Sequence, residues 1–103
     1  MEVIDHEPHA WFLVRDGNAL LLEVRCSHGA ADYSVVLELS AVDRRRYDRR
    51  GHAYLDELAY AIHYSAPGVR GNTSVYAHRL LEPHRRQAVS DTILAWVRKT
   101  RDA

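Results

Sequence analysis

The sequence predicts an α+β domain, a three-stranded antiparallel meander packed against two helices in the order β-β-β-α-(β)-α. Three observations predict it. Residues 10–39 carry β-branched and aromatic runs parted by turn residues, Ser40 opens a long stretch of helical spacing, and Pro83 opens another. At 103 residues the chain has room for one core, and 47% hydrophobic against 27% charged residues is a globular balance. The chain therefore reads as a single domain over 1–103, with residues 1–8 as a flexible acidic arm.

The first strand is Ala10-Trp-Phe-Leu-Val-Arg15, which runs into Asp16-Gly17-Asn18, a hairpin signal. The second runs from Ala19 to Cys26. Either choice of turn residues sets Trp11 and Leu13 on one face with Leu20, Leu22 and Val24. The third, Tyr33 to Leu39, alternates, with Tyr33, Val35, Leu37 and Leu39 turned inward. Ser40 is a helix N-cap, and Asp43 three residues on can answer it as a capping box. The first helix reads from Ala41 to Tyr64 with Tyr47, Tyr54, Leu55, Leu58 and Ile62 as its apolar stripe; Gly51 marks a kink, a break or a close approach, and continuity is the reading taken. Residues 65–73 form a loop. Ser74 to Leu81 alternates as a fourth strand near 74–80 would, yet equally well opens a helix. The last helix begins near Pro83, carries Val89, Ile93, Trp96 and Val97, and ends on Arg98, Lys99 and Arg101. The predicted core is Trp11, Leu13, Leu20, Leu22, Val24, Val35, Leu37, Leu55, Leu58, Ile62, Val89, Ile93 and Trp96.

Composition excludes several classes. The start is acidic where a secretory signal needs a basic stretch, no apolar run approaches the ~20 residues of a membrane helix, and Cys26 is the one cysteine. A cytoplasmic protein without membrane contact is expected. The net charge of zero hides a division: residues 1–43 hold eight acids against Arg15 and Arg25, a net of −6, and residues 44–103 carry +6. Such halves can neutralise each other within the chain, pair two copies, or leave the basic half to an outside polyanion.

The run Arg44-Arg-Arg-Tyr-Asp-Arg-Arg50 is the candidate polyanion site, through Arg44, Arg45, Arg46, Arg49 and Arg50. Arginine forks match phosphate, although placing them in the first turns of a helix opposes the macrodipole. Neutralisation by the acidic half is the plainer account, so nucleic acid is a partner weighed but not favoured. Seven histidines offer no ligand spacing: His6 and His9 lie in the acidic arm and the others are scattered, so no metal and no cofactor are expected. Cys26 and His28 are the beginnings of a nucleophile pair, but no third group orients them and a buried small residue explains the cysteine better. Asp56 and Glu57 are adjacent on a helix and diverge. Gly68-Val-Arg-Gly71 lacks the lysine of a phosphate loop. No catalytic residue is assigned.

Two candidate contact surfaces remain. Tyr60, His63 and Tyr64 share a helix face away from Leu55 and Leu58. Phe12, Val14, Leu21 and Val36 gather on the second face of the sheet, too apolar for water, and either the last helix or, as the reading taken, another copy of the chain covers them. The function expected is a non-enzymatic interaction or binding domain that self-associates as a homodimer or takes an unknown protein partner. The alternative is a nucleic-acid or polyanion binder.

Overall fold

The computed structural model describes residues 1–28, 31–65, 76 and 79–101, with backbone only at 27, 28, 31 and 32. The elements are β1 (Glu2–Glu7), β2 (Trp11–Asp16), β3 (Ala19–His28), β4 (Ala31–Glu38), α1 (Ala41–Arg50), α2 (His52–Ser65) and α3 (Pro83–Arg101). The four strands form one antiparallel meander in sequence order. This is the α+β class that the sequence predicts, with a fourth strand added at the N-terminal edge.

The β2–β3 hairpin settles its register by setting Asp16 opposite Ala19 and Trp11 opposite Val24. Gly17 and Asn18 are thus the turn, and Gly17 takes φ 60°, a conformation that side chains resist. Leu22 then faces Leu37, and Val24 faces Val35. Alternation sends Trp11, Leu13, Leu20, Leu22, Val24, Val35 and Leu37 to one side, where α2 packs Tyr54, Leu55, Leu58, Ala59 and Ile62 over them.

The second face is where the sequence reading needs correction. Val14, Leu21 and Val36 are fully buried against Val89 and Ile93 of α3, with Phe12 and Val97 packed beside them. Helices α2 and α3 divide between the two faces, so Val14, Leu21 and Val36 are interior positions of one chain, and Phe12 is half-buried at their edge. An antiparallel sheet covered on both sides needs apolar residues at odd and even positions alike, which β2 and β3 supply. Trp96, expected in the core, is half-buried, its ring edge-on to Phe12 at 5.8 Å and to His6 at 4.7 Å.

Residues 1–8 are not a flexible arm over the stretch 2–7, which is strand β1 on the free side of β2. The pairing slips between Val3 and Asp5: Val3 lies opposite Val14, and Asp5 lies opposite Leu13. The extra residue, Ile4, changes the phase of the strand. Val3 and His6 therefore join the α3 face, while Asp5 and Glu7 join the α2 face. The fourth strand expected near 74–80 falls mostly outside the described residues; within them, Leu80 makes an isolated antiparallel bridge to Leu37, and the Leu81 amide donates to the Val36 carbonyl at 2.8 Å.

The continuous helix expected from Ala41 to Tyr64 is broken at Gly51. Its φ of 63° and ψ of −144° belong to a region that glycine alone occupies readily, and its amide closes α1 on the Tyr47 carbonyl at 2.7 Å. The N-terminus is the predicted capping box, with the Asp43 amide donating to Ser40 Oγ at 3.1 Å and the Ser40 amide donating to Asp43 Oδ2 at 3.0 Å. The break moves Arg49 and Arg50 into the last turn of α1, where the helix dipole favours cations rather than opposing them.

Candidate functional site

Helix α1 is the least apolar element of the chain. Only Asp43 is buried and Tyr47 half-buried; Val42 and all five arginines face solvent. Asp43 holds the helix down. Only 6% exposed, it accepts hydrogen bonds from Tyr54 Oη at 2.7 Å and Arg79 Nη2 at 2.7 Å as well as from the Ser40 amide. Burial alone raises its carboxyl pKa, but the bonds from Tyr54, Ser40 and Arg79 outweigh burial and hold it below the ordinary aspartate value. Tyr47 Oη donates to Asp5 Oδ2 at 3.0 Å, and burial together with that carboxylate pushes the phenol up to about 12.

Among the described residues, the acidic half of the chain forms no ion pair with these arginines. Arg50 pairs with Glu57 and lies over the Tyr54 ring, 5.5 Å from its centroid. Arg44 donates to the Asn18 carbonyl, and Arg46 reaches the Tyr54 hydroxyl. Arg45 and Arg49, one turn apart, have no partner among the described residues. Four acids of the first half are engaged elsewhere: Glu2 with Arg15, Asp43 with Arg79, and Asp5 and Glu7 with His52; Asp48, on α1 itself, forms no ion pair with the arginines among the described residues.

The outward stripe of α2 continues this surface. Glu57, tied to Arg50, is followed one turn later by Tyr60 and a further turn later by Tyr64, so the tyrosines begin about 5 Å along the helix from the ion pair. They are 69% and 78% exposed and stack on each other with centroids 6.2 Å apart and planes 20° from parallel. His63 turns toward the sheet, its Nδ1 3.3 Å from the Arg25 carbonyl oxygen. Beneath Tyr60 and His63 lies a cavity of about 700 Å³ whose walls include Trp11, Arg25, Cys26 and Tyr33. Tyr60 and Tyr64 thus stand together on the outward stripe that begins at the Arg50–Glu57 pair, while His63 is directed to the sheet.

The other candidates resolve differently. Burial pushes the Cys26 thiol pKa up, away from nucleophilic use, and the His28 side chain lies outside the described residues, as does the loop Gly68–Gly71. A cluster that sequence reasoning missed forms around His52. Its Nδ1 is 2.9 Å from Asp5 Oδ1, its Nε2 is 2.8 Å from Glu7 Oε2 and 3.7 Å from Asp56, and Trp11 Nε1–H donates to Asp56 Oδ1 at 2.9 Å. Hydrogen bonds to Asp5 and Glu7 hold the imidazole above its ordinary pKa. Glu7, His52 and Asp56 bring three donor atoms within 4.8 Å of one another, enough for an open divalent-metal site. An imidazolium bridging carboxylates accounts for the same geometry without an ion. The His52–Asp56 spacing of four was the only hint in the sequence, because Glu7 and Asp5 arrive from the far end of the chain.

Among the described residues, no helix is long and apolar enough to cross a membrane. No protein-family model matches the chain, and no curated protein or solved structure matches it, so its fold and surfaces stand on the geometry alone.

Proposed function

We propose that this chain is a non-enzymatic binding domain whose ligand is a single-stranded nucleic acid, held by the arginines of α1 and by the Tyr60–Tyr64 pair. The observation that carries this reading is that five exposed arginines on one helix have, among the described residues, a single carboxylate partner, Glu57. Unpaired guanidiniums match backbone phosphates, and exposed aromatic faces stack unpaired bases without reading sequence. Overall neutrality does not remove the local field, since Asp5, Glu7 and Asp43 are occupied by His52 and Arg79 and Asp48 is the one remaining acid on the helix against five arginines. The single, buried cysteine suits a reducing, cytoplasmic setting. For a protein partner or a second copy, the tyrosine pair is the most exposed of the large hydrophobic residues described.

Fluorescence anisotropy with a labelled oligothymidylate tests the proposal. Three to five phosphate contacts give a slope of log affinity on log salt of about −2 to −3.5 for a single strand. Arg45→Gln with Arg49→Gln flattens that slope by about 1.4. Tyr60→Ala weakens binding by about 1–3 kcal/mol without changing the slope. No salt-dependent binding overturns the reading, and binding that ignores both tyrosines reassigns them to a protein contact.

A further inference from the structure

The α3 side of the sheet holds a second cavity, of about 620 Å³, built unlike the first. Phe12 and Trp96 form an aromatic wall, Ile93 adds an apolar floor, and Glu23 closes it from β3. Glu23 is only 8% exposed. A carboxylate withdrawn this far from water needs strong partners, and among the described residues this one has a single long hydrogen bond, from Ser90 Oγ at 3.4 Å. Arg25, two residues along the same strand, lines the cavity without forming an ion pair with it among the described residues; burial pushes the Glu23 carboxyl above its ordinary pKa, and the Ser90 bond and the Arg25 charge offset only part of that. Arg101 and His6 stand at other points of the lining.

We infer that this cavity is a binding site for a small zwitterion with an apolar body, its primary ammonium seated on Glu23, its body against Trp96 and Phe12, and its anionic group met by Arg25 or Arg101. The charge map selects that class. An ammonium supplies the short, charge-assisted hydrogen bonds that Ser90 does not, and an aromatic wall favours a cation and its apolar carbon skeleton together. A simple cation leaves the guanidiniums of the lining unanswered, and a simple anion leaves Glu23 so. An α-amino acid with an apolar side chain satisfies all three requirements. Among Glu23, Arg25, Phe12, Trp96 and Arg101, only Arg25 also lines the cavity beneath Tyr60; the site's own walls come from the α3 side, and it does not depend on the nucleic-acid reading.

The test titrates the intact chain with L-phenylalanine, with phenethylamine, which lacks the carboxylate, and with 3-phenylpropionate, which lacks the ammonium. Binding is followed by calorimetry and by the amide and indole N–H signals of Glu23, Ser90 and Trp96. Phenylalanine is expected to bind most tightly and phenylpropionate most weakly, with shifts centred on Trp96. Glu23→Gln keeps the side-chain shape and weakens phenylalanine by about tenfold or more. Ser90→Ala leaves the carboxylate in place and leaves affinity within about twofold, since its bond is long. Absence of any shift at Trp96 with all three compounds at millimolar concentration overturns the inference. So does a Glu23→Gln variant, with its spectrum otherwise intact, that binds phenylalanine as well as the parent chain.

Discussion

Replacing Asp43 by alanine tests how α1 is held to a body it hardly touches through apolar groups. Three hydrogen bonds, from Tyr54, Arg79 and the Ser40 amide, end on this one buried carboxylate. Each is worth about 1.5–3 kcal/mol as a bond to a charged group, and the cost of holding the ion out of water offsets part of the sum. The expected loss is about 3–5 kcal/mol, the range for removing one partner of a buried pair, against a total of roughly 5–15 kcal/mol for a domain of this size. With a slope near ~1.5 kcal/mol/M, the urea midpoint read by circular dichroism falls by roughly 2–3 M. Asp48→Ala, on the exposed side of the same helix, should stay within about 0.5 kcal/mol. Because the Asp43 pKa is depressed in the fold, its contribution is present above the unfolded value of 3.8 and is lost as pH falls through the folded value, so the variant shows a shallower acid loss than the parent. A cost below about 1 kcal/mol, or one no larger than that of Asp48→Ala, refutes the reasoning.

Three further outcomes follow from the same geometry. Leu21→Lys buries an unpaired ammonium between the sheet and α3 and should cost more than about 3 kcal/mol in urea unfolding; a variant of parental stability that merely changes sedimentation would restore the sheet face as an interface between copies. Gly51→Ala meets no atom within 4 Å, so its cost is that of the backbone conformation alone, about 1–3 kcal/mol by thermal unfolding, and an unchanged midpoint contradicts the assigned φ and ψ. For His52, whose pKa is raised in the fold, the stabilising contribution is full below the unfolded value of 6.5 and disappears as pH rises through the folded value. Hydrogen exchange should therefore report easier opening of the β1 amides with rising pH, an effect lost in His52→Ala, whereas equal opening free energies across that window would remove the imidazolium from its anchoring role.

Much of the fold was legible because its signals are local. Alternation in residues 10–39, the Gly17 turn, the Ser40–Asp43 box and Pro83 at the head of α3 each depend on neighbours in the chain. The placement of α3 was not, because an apolar stripe such as Val89, Ile93 and Val97 says that a helix is covered and not which face of the sheet covers it. Strand β1 was hidden by its own chemistry. Its inward residues include Asp5, His6 and Glu7, whose partners His52 and Trp96 come from distant elements, and the slip at Ile4 breaks the alternation that would have disclosed it. The arginines were visible at once, but their lack of partners was not, since that depends on where every acid of the chain ends up.

The slip at Ile4 bears on how the molecule behaves at high concentration. As the outermost strand on its side, β1 presents a row of backbone donors and acceptors, an invitation to strand addition by another chain. A bulge bends and over-twists that row. Removing Ile4 would leave Val3 and Asp5 on the faces they already occupy, because adjacent residues of a regular strand alternate. The residue is thus spare with respect to packing and costs the interior nothing to keep. What it removes is flatness, so the same edge that anchors His52 is a poor seed for fibrils.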